Sequence, residues 1–308
     1  MSRSMGRSEP RPVPVGAPSS RSLLRNLVRE IRRSRLGIFS VAVLLGLSLL
    51  AAVAPWIAPY DPLVQSLPAQ FMAPSLRHPF GTDEFGRDLL SRVIYGGRIS
   101  LTTAVVAVSL ALAGGVPLGL AAGYFGKLTD SIIVRFLDFL LSIPAILLAM
   151  AIVAVLGASS VNAMFAVAVV AVPAFARLAR ASTLTQKNKE YVEAARCIGC
   201  TDFYILRRTI LPNAWGPLIV QMTVAAAMAV LLEAALSFLG LGTRPPDPSW
   251  GQMLSSGRSH LARAWWYGLF PGIALTLLVI SLNFLADSLQ AAIDPRYRGH
   301  KSAEGRGG

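Results

Sequence analysis

Charged residues are scarce in this chain of 308 residues, where they make up only 15% of the sequence while hydrophobic residues make up 54%. A soluble domain of this length would need more polar surface, so the composition favours a membrane protein. Histidine is also rare, and His78, His260 and His300 lie too far apart to form a metal-ligand pattern. The sequence therefore predicts no metal site and no bound cofactor.

Cysteine occurs only twice, as Cys197 and Cys200, in a C-x-x-C spacing that is also used by redox and zinc sites. Two cysteines without further Cys or His ligands cannot complete a structural zinc site. The cytosol, in addition, keeps thiols reduced. We interpret the two cysteines as small residues on a helix surface.

Acidic residues are outnumbered by basic ones, 16 against 29, which gives a net charge of +13. Such an excess can indicate a nucleic-acid partner. Here, however, Lys and Arg cluster between apolar runs, as the orientation of a membrane protein requires. No DNA- or RNA-binding signature is present either, so we predict no nucleic-acid partner.

Six apolar runs are long enough to cross a bilayer, which takes about 20 helical residues. The first covers residues 36–57. It is not a signal peptide, because the run and its basic flank are too long and Pro55 follows the only cleavage-like sequence. The other runs are residues 99–126, 132–156, 161–178, 214–241 and 265–286. The sequence thus predicts an all-α membrane protein with six transmembrane helices.

Lys and Arg are distributed unevenly between the segments that connect these runs. Of the 29, 22 lie before the first span, between spans two and three, between spans four and five, or after the last span, when Arg135 and Arg177, just inside the ends of spans three and four, are counted with the adjoining segments. The other 7 lie in the loops 58–98 and 242–264. The positive-inside rule then places the basic segment 1–35, the loop 187–213 and the tail 291–308 in the cytoplasm. The N-terminal segment is also amphipathic, which predicts contact with membrane lipid.

The stretch 190–213 has the pattern of a helix–glycine–helix elbow. Gly199 stands where the first helix should stop, Thr201 can cap the second, and Pro212 should end it. Apolar residues recur at helical spacing on both sides of the glycine, first as Tyr191, Ala194, Ala195 and Ile198 and then as Phe203, Leu206 and Ile210. An elbow of this kind between two spans is available to a cytoplasmic partner.

The loop 58–98 has its own signs of structure. We predict a short helix over residues 88–94 that ends at the Gly96–Gly97 pair. Charged residues just before it are expected to form an ion-pair network at the membrane surface, namely Asp83, Glu84, Arg87, Asp88 and Arg92. In the following span, Pro117 predicts a kink and three glycines predict close helix packing, namely Gly115, Gly119 and Gly123.

Two acidic residues within the spans are candidates for the transport pathway. Asp138 can pair with Arg135, three residues earlier, or line the pathway. Glu233 can pair with a basic residue of a neighbouring helix, or face the pathway and contact a substrate amine.

Three motifs resemble those of a known family. EYVEAARCIGCTDFYILRRTILPN (190–213) resembles the EAA loop of binding-protein-dependent ABC importer permeases. HPFGTDEFGRDLLSRVIYGGRISL (78–101) and ALSFLGLGTRPPDPSWGQML (235–254) are similar to the dipeptide, oligopeptide, nickel and glutathione permeases, in their C-type subunit. The resemblance runs from about Arg29 to Arg298. One departure is Thr209, where the general EAA pattern has an aliphatic residue.

The resemblance implies a type I ABC importer permease fold in the cell (inner) membrane, with cytoplasmic coupling helices that dock on an ATPase. The coupling residues would be Glu190, Glu193, Ala194, Ala195, Arg196, Gly199, Asp202, Leu211 and Pro212. The external gate and docking surface would contain Asp83, Gly86, Arg87, Asp88, Pro245, Pro246, Trp250 and Gly251. Implied partners are a second homologous permease subunit, two cytoplasmic ABC ATPase subunits and an extracytoplasmic substrate-binding protein.

Residues 121–128 are the nearest approach to a phosphate loop, but Ala121 replaces the first glycine and Leu128 the Ser or Thr. ATP hydrolysis is therefore expected of a separate chain.

Short peptides are the expected substrate, with nickel and glutathione as alternatives. A membrane enzyme built on Asp83, Glu84 and Asp88 would lack a nucleophile or metal. A passive channel would not need the elbow.

Overall fold

The structure, a computed structural model, describes residues 29–293. The predictions for residues 1–28 and 294–308 lie outside this range. Within it every regular element is helical, apart from an isolated β-bridge between Thr82 and Asp88. Besides a short 3-10 helix at Leu67–Ala69, the helices are α1 (Arg35–Ala52), α2 (Ala54–Ile57), α3 (Leu89–Phe125), α4 (Lys127–Ser142), α5 (Ala145–Leu156), α6 (Ser160–Gln186), α7 (Glu190–Cys197), α8 (Asp202–Phe238), α9 (Trp250–Arg258) and α10 (Trp265–Ile293).

Five of the helices are long and apolar enough to cross a membrane, namely α1, α3, α6, α8 and α10. The predicted third span, residues 132–156, is not one straight helix. It consists of α4 and α5, which meet at an angle of 92°. Pro144 explains the break, because proline donates no hydrogen bond and disfavours the helical conformation of Ile143 before it. The described residues therefore hold six spans if this bent pair counts as one.

Helix α3 begins at Leu89, ten residues before the predicted span, and the expected break at Gly96–Gly97 is absent. Both glycines lie inside the helix and face the indole ring of Trp250. A Cβ added at Gly96 would lie 3.0 Å from Cδ1 of Trp250, and one at Gly97 would lie 3.1 Å from Cζ2. These glycines make room for a side chain that is distant in sequence, which explains why a prediction from local sequence was wrong.

Close packing between α3 and α6 follows the predicted glycine spacing. A Cβ added at Gly115 would lie 2.7 Å from the carbonyl oxygen of Val172, and one at Gly123 would lie 2.9 Å from that of Arg180. At Gly119 it would overlap the carbonyl group of Ala176. The prediction of a close helix contact is thereby confirmed, because only glycine lets two helix backbones approach so closely.

Helix α8 continues through Pro212, where the sequence predicts an end. Residues Ile205–Ile210 form a π-helical segment, in which the N–H of Leu211 donates to the carbonyl of Leu206, five residues earlier. The wider turn accommodates the proline ring and its missing N–H, so the helix runs on to Phe238.

The bundle has two ends that matter for function. We call the end where α3 begins the loop end, because the segments 58–88 and 239–264 gather there around Asp88 and Trp250. We call the end where α3 finishes the elbow end, because Tyr124 contacts the segment that joins α7 and α8 there. Helix α3 thus connects the two candidate regions directly.

Candidate functional site

The elbow between α7 and α8 is a glycine turn of the Schellman type. Gly199 has a positive φ of 80°, its N–H donates to the carbonyl of Arg196 at 2.9 Å, and the N–H of Cys200 donates to that of Ala195 at 3.0 Å. The hydroxyl of Thr201 then accepts from the N–H of Tyr204 at 3.3 Å and caps α8. The predicted stop and cap are both present.

The buried face of the elbow agrees with the predicted one only at Ile210, beside which Ala195 and Leu206 are half-buried. Val192 is fully buried on α7, and Ile205 and Ile210 are fully buried on α8, at the five-residue spacing of the π-helical segment. Ile198 and Phe203, which belong to the predicted faces, are 80% and 71% exposed. Both sets are apolar, so periodicity alone could not tell which one packs on the bundle.

The predicted coupling residues lie on the open side of this elbow or at its edge. Ala195 and Leu211 are half-buried, and the others are exposed, namely Glu190, Glu193, Ala194, Arg196, Gly199, Asp202 and Pro212. The elbow thus presents small, apolar and acidic groups together. The two cysteines flank the turn as free thiols.

Tyr124, at the end of α3, contacts both helices of the elbow, α7 and α8. Its hydroxyl donates to Oδ1 of Asp202 at 2.6 Å, and the guanidinium of Arg196 lies over its ring at 5.2 Å. Beside it, Nζ of Lys187 donates to the carbonyl of Gly123 at 3.0 Å. Sequence reasoning missed Tyr124, because nothing in its own segment signals a contact with residues more than 70 positions away.

Tyr191 forms a smaller polar contact at the base of the elbow. Its hydroxyl donates to Oε1 of Gln186, and Nδ2 of Asn213 lies 3.4 Å from its oxygen. Partial burial raises the pKa of the Tyr191 phenol, so it remains a neutral hydrogen-bond donor at physiological pH. Tyr191 therefore ties the start of α7 to the end of α6 and to α8.

Two Asp–Arg pairs fasten α4 to α6 near the elbow end. Arg180 binds Asp130 through two parallel bonds, Nε to Oδ1 at 2.5 Å and Nη2 to Oδ2 at 2.6 Å. Asp138 pairs with Arg177 of α6 at 2.6 Å, and not with Arg135 as its spacing suggests. Both side chains of the Asp138 pair are more than half exposed, at 54% and 56%. The partner on another helix is a tertiary contact that helical spacing cannot reveal.

At the loop end, Asp83 organises a buried ion-pair network. Its Oδ1 accepts from the backbone N–H groups of Phe85 and Arg87, each at 2.9 Å, and its Oδ2 accepts from Nε of Arg87 at 2.6 Å. Arg92 lies 3.4 Å from the same carboxylate and donates to the carbonyls of Pro62 and Pro246. The predicted network is present for Asp83, Glu84, Arg87 and Arg92, whereas Asp88 pairs with His78 instead. Because the Asp83 carboxylate and both arginines are buried, the network fixes the loops rather than contacting solvent.

Asp88 caps α3 and also reaches into the loop before it. Its Oδ2 accepts from the N–H of Ser91 at 2.8 Å, and its Oδ1 lies 2.9 Å from Nδ1 of His78. Gly86 is required in the tight turn between Asp83 and Asp88, because it has a φ of +70° and a Cβ there would overlap the carbonyl of Ser66.

Trp250 joins α9 to α3. It is only 2% exposed, and its indole N–H donates to the carbonyl of Val93 at 2.8 Å. Gly251 packs directly on the backbone of Ala234 in α8. The structure thus brings the predicted gate residues of both loops together at the start of α3. Among them Pro245 and Pro246 are exposed, together with their neighbours Arg244 and Asp247.

Glu233 lies inside the bundle on α8 and is fully buried. Oε1 accepts from the hydroxyl of Ser237 at 2.7 Å, and that hydroxyl oxygen accepts from the N–H of Thr243 at 3.2 Å. The hydroxyl of Ser100 on α3 lies close to the same carboxyl. In the described part of the chain Glu233 forms no ion pair, so the basic partner that the sequence suggested is not found there.

A cavity of about 430 Å³ opens between α6 and α8 beside the break before α5. Its walls are small and apolar, with Gln221 as the polar exception, and include Ala145, Val170, Ala174, Met228 and Leu232. Glu233 is not among its lining residues. Ala145, the first residue of α5 after the break at Pro144, is the lining residue that this helix contributes.

A bundle of membrane-spanning helices, with an exposed elbow between two of them and packed loops at the other end, is typical of membrane permeases. Residues 115–299 match the family described as binding-protein-dependent transport system inner membrane component. Residues 22–74 match the N-terminal TM domain of oligopeptide transport permease C. The chain belongs to the family of binding-protein-dependent transport permeases, and it is a permease subunit of an ABC importer.

Several relatives resemble the chain over most of its length. The di/tripeptide transport system permease protein DppC of Pseudomonas aeruginosa is 43% identical over 80% of this chain and 84% of its own. The probable D,D-dipeptide transport system permease protein DdpC of Escherichia coli is 39% identical over 90% and 93%. The glutathione transport system permease protein GsiD of Escherichia coli is 42% identical over 88% and 90%.

A solved structure shares the fold. It is a chain of the MetNI methionine ABC transporter in an inward facing conformation, with a TM-score of 0.55 and 20% identity. The match covers 67% of this chain and 98% of that one. The likeness supports the helical permease fold and nothing more specific.

Proposed function

We propose that this permease subunit imports short peptides across the cytoplasmic membrane. The observation that carries the proposal is the identity of 39–43% with relatives named as dipeptide or di/tripeptide permeases, over 80–93% of the chain. The relative named for glutathione is equally similar, and glutathione is itself a tripeptide, so it is the second candidate.

A competition experiment separates the candidate substrates. Cells that lack their own dipeptide uptake, and that carry this chain with its neighbouring transport genes, should accumulate radiolabelled dialanine. Unlabelled dipeptides should suppress the accumulation, whereas glutathione and Ni²⁺ should not. Absence of dialanine accumulation together with accumulation of labelled glutathione would replace the peptide assignment, and accumulation of Ni²⁺ alone would replace both.

The chain is proposed to work with four other proteins: a second homologous permease, two ABC ATPases that hydrolyse the ATP, and an extracytoplasmic substrate-binding protein. A separate ATPase is supported by the missing phosphate loop at residues 121–128. A cytoplasmic position for both termini and for the elbow is supported by the distribution of Lys and Arg. Accessibility of the native thiols Cys197 and Cys200 to impermeant reagents from each side would test this orientation.

The elbow is proposed to dock on an ATPase. The exposed Ile198 and Phe203 supply apolar contact, Ala194 leaves room for close approach, and Glu190 and Glu193 supply charge for basic groups of the partner. Movement of a docked elbow would reach α3 through the hydrogen bond between Asp202 and Tyr124. Rigid-body motion of this kind is what alternating access requires.

The loop end is proposed to receive the binding protein and to form the external gate. The exposed contact surface is the group Arg244, Pro245, Pro246 and Asp247. Arg92 donates to the carbonyl of Pro246 and Trp250 donates to that of Val93, so the buried network, which also contains Asp83, Arg87, Asp88 and Gly86, holds that surface on the first turns of α3. The apolar cavity between α6 and α8 and the exposed Asp138 are proposed to face the pathway that the two permeases enclose.

A further inference from the structure

The cavity between α6 and α8 has the size and the walls of a small-molecule site. Its volume of about 430 Å³ lies within the range of about 300–1,000 Å³ that such sites occupy. On α8 its lining residues extend from Gln221 to Ala235, which is about 21 Å of helix at a rise of about 1.5 Å per residue. The lining is apolar apart from Gln221, whose amide can both donate and accept. The cavity therefore suits an apolar side chain with a peptide group beside it.

An ion pair adjoins the cavity on the side of the elbow end. Val170, Ala174 and Arg177 follow one another at i, i+4 and i+7 on α6, so Arg177 continues the face that lines the cavity by one turn. Nη2 of Arg177 donates to Oδ1 of Asp138 at 2.6 Å. Asp138 lies on α4, and Ala145, the first residue of α5 after the break, lines the same cavity. The apolar cavity thus has one negative and one positive group beside it.

Exposure decides which of the two Asp–Arg pairs between α4 and α6 can receive a ligand. Arg180 holds Asp130 through two parallel bonds, and these side chains are only 32% and 23% exposed. The pair of Arg177 and Asp138 has one bond, and its side chains are 56% and 54% exposed. Exposed ion pairs contribute little to stability. The Asp138 pair can therefore open toward a ligand, while the Asp130 pair keeps α4 on α6.

We propose that Asp138, Arg177 and the cavity together form a binding site for a short zwitterionic peptide. The terminal ammonium group binds the carboxylate of Asp138, the terminal carboxylate accepts from the guanidinium of Arg177, and an apolar side chain enters the cavity. A zwitterion supplies one charge of each sign to a pair that has one of each. A lipid acyl chain carries no group for this pair. The site rests on the proposed function, because it lies on the pathway proposed for the peptide.

Photolabelling tests the site on the assembled transporter in lipid nanodiscs, without the binding protein and without ATP. The probe is a dipeptide with a diazirine in a leucine-like side chain. Labels should appear on Met228 and Leu232, which line the cavity, and unlabelled dileucine should suppress them. Arg177→Gln should lower the labelling by about fivefold. Arg135→Gln is the matched control, because it removes an exposed guanidinium of α4 that does not belong to the pair, and it should leave the labelling unchanged.

Two results of the labelling would overturn the proposal. One is labelling that dileucine does not suppress, as lipid-like partition of the probe would give. The other is an absence of labels on α8, as a helix of the second permease seated in the cavity would give.

Competition by end-capped dipeptides distinguishes a binding site from a pair that only fastens α4 to α6. Acetylation removes the ammonium group, so N-acetyl-dileucine should compete about fivefold more weakly than dileucine in the wild type and equally well in Asp138→Asn. Dileucine amide should show the same relation in Arg177→Gln. A purely structural pair would not change these ratios between competitors. Equal competition by capped and free dileucine in the wild type would overturn the proposal.

Uptake tests the cavity as a part of transport. Ala174 is exposed at the wall of the cavity, so Ala174→Phe should fill it and lower the ratio of dileucine to dialanine uptake by about fivefold. Val105→Phe is the matched control, because Val105 is 67% exposed on α3 and lies outside the lining. The binding protein is the same in all variants, so a changed ratio arises in the permease.

An unchanged uptake ratio in Ala174→Phe would overturn the proposal. Labels that dileucine suppresses, in an assembly that takes up no dipeptide, would support the site and refute the import of peptides. The two failures are thereby distinguishable.

Discussion

Gly199 and Tyr124 are the two residues on which the geometry of the elbow most depends. Gly199 adopts a left-handed conformation that side chains disfavour, and this sets the angle between α7 and α8. Tyr124 links that turn to α3 through Asp202 on one side and Arg196 on the other. Both residues act on the position of the elbow rather than on any substrate, so changes there should affect coupling before binding.

Replacing Gly199 should uncouple ATP hydrolysis from uptake. A β-branched side chain in the left-handed region costs about 1–2 kcal/mol, so Gly199→Val should lower the peptide transported per ATP by about tenfold. Gly199→Asn is the matched control, because asparagine tolerates this conformation and should keep most of the coupling. The ratio of uptake to ATPase activity in proteoliposomes measures the effect. Equal ratios in the two variants would contradict it.

Tyr124→Phe removes the hydrogen bond to Asp202 and leaves the ring under Arg196. A hydrogen bond of this kind contributes about 1 kcal/mol, so we expect about a fivefold loss in the same coupling ratio, with unchanged binding of the peptide-loaded binding protein. Tyr95→Phe is the control, because the Tyr95 ring also carries a guanidinium at 5.2 Å, that of Arg98, but its hydroxyl makes no described hydrogen bond. A similar loss in both variants would show that the Asp202 contact is not responsible.

At the scale of elements, α3 is the helix that connects the two candidate regions. Its 37 residues give a length of about 55 Å, more than a hydrocarbon core of about 30 Å requires. Its first turns carry Asp88 and the carbonyl bound by Trp250, and its last turn carries Tyr124. The close glycine contact with α6 fixes the C-terminal half of α3 to that helix. A displacement at the elbow therefore has a rigid path to the loop end.

Two alanine substitutions in α3 test its close packing on α6. Gly119→Ala places a Cβ against the carbonyl of Ala176 and should destabilise the protein by about 1–3 kcal/mol. Gly114→Ala meets only a methyl group of Val172 at 3.6 Å and should be neutral or slightly stabilising, because alanine favours helix over glycine. Thermal unfolding of the purified proteins distinguishes them. Equal midpoints would contradict the close contact.

The loop 239–249 should act through its exposed charges. We expect Arg244→Glu and Asp247→Lys to weaken stimulation of the ATPase by the binding protein, with about a fivefold higher concentration needed for half-stimulation. Basal ATPase activity should not change, because neither side chain belongs to the buried network around Asp83. Unchanged half-stimulation in both variants would remove this loop from the docking surface.

Sequence patterns that depend only on neighbouring residues predicted the structure well. Gly199 and Thr201 were identifiable because a helix stop and a cap depend on adjacent backbone groups, and the long apolar runs marked the spans. The failures depended on distant partners. Gly96 and Gly97 accommodate Trp250, Asp138 pairs with Arg177, and Tyr124 reaches Asp202, none of which is encoded in local spacing. Helix α8 continues through Pro212 because of a π-helical segment that the local sequence does not indicate.

At the scale of the whole molecule, the elbow proposed to dock on an ATPase and the surface proposed to receive the peptide-loaded binding protein lie at opposite ends of α3. The elbow end carries exposed residues, while the loop end holds a buried network below an exposed surface. Helices α3, α6 and α8 join the ends, with an apolar cavity between α6 and α8. This arrangement suits a subunit that is moved by one partner and supplied by another.

Peptide accumulation in proteoliposomes that contain this chain, its partner permease and both ATPases is the most direct test. With ATP inside and the peptide-loaded binding protein outside, on the opposite face, we expect dipeptide to rise above its external concentration. Omission of ATP, of the binding protein or of this chain should abolish the rise. Equilibration of dipeptide without ATP, or accumulation without this chain, would contradict this expectation.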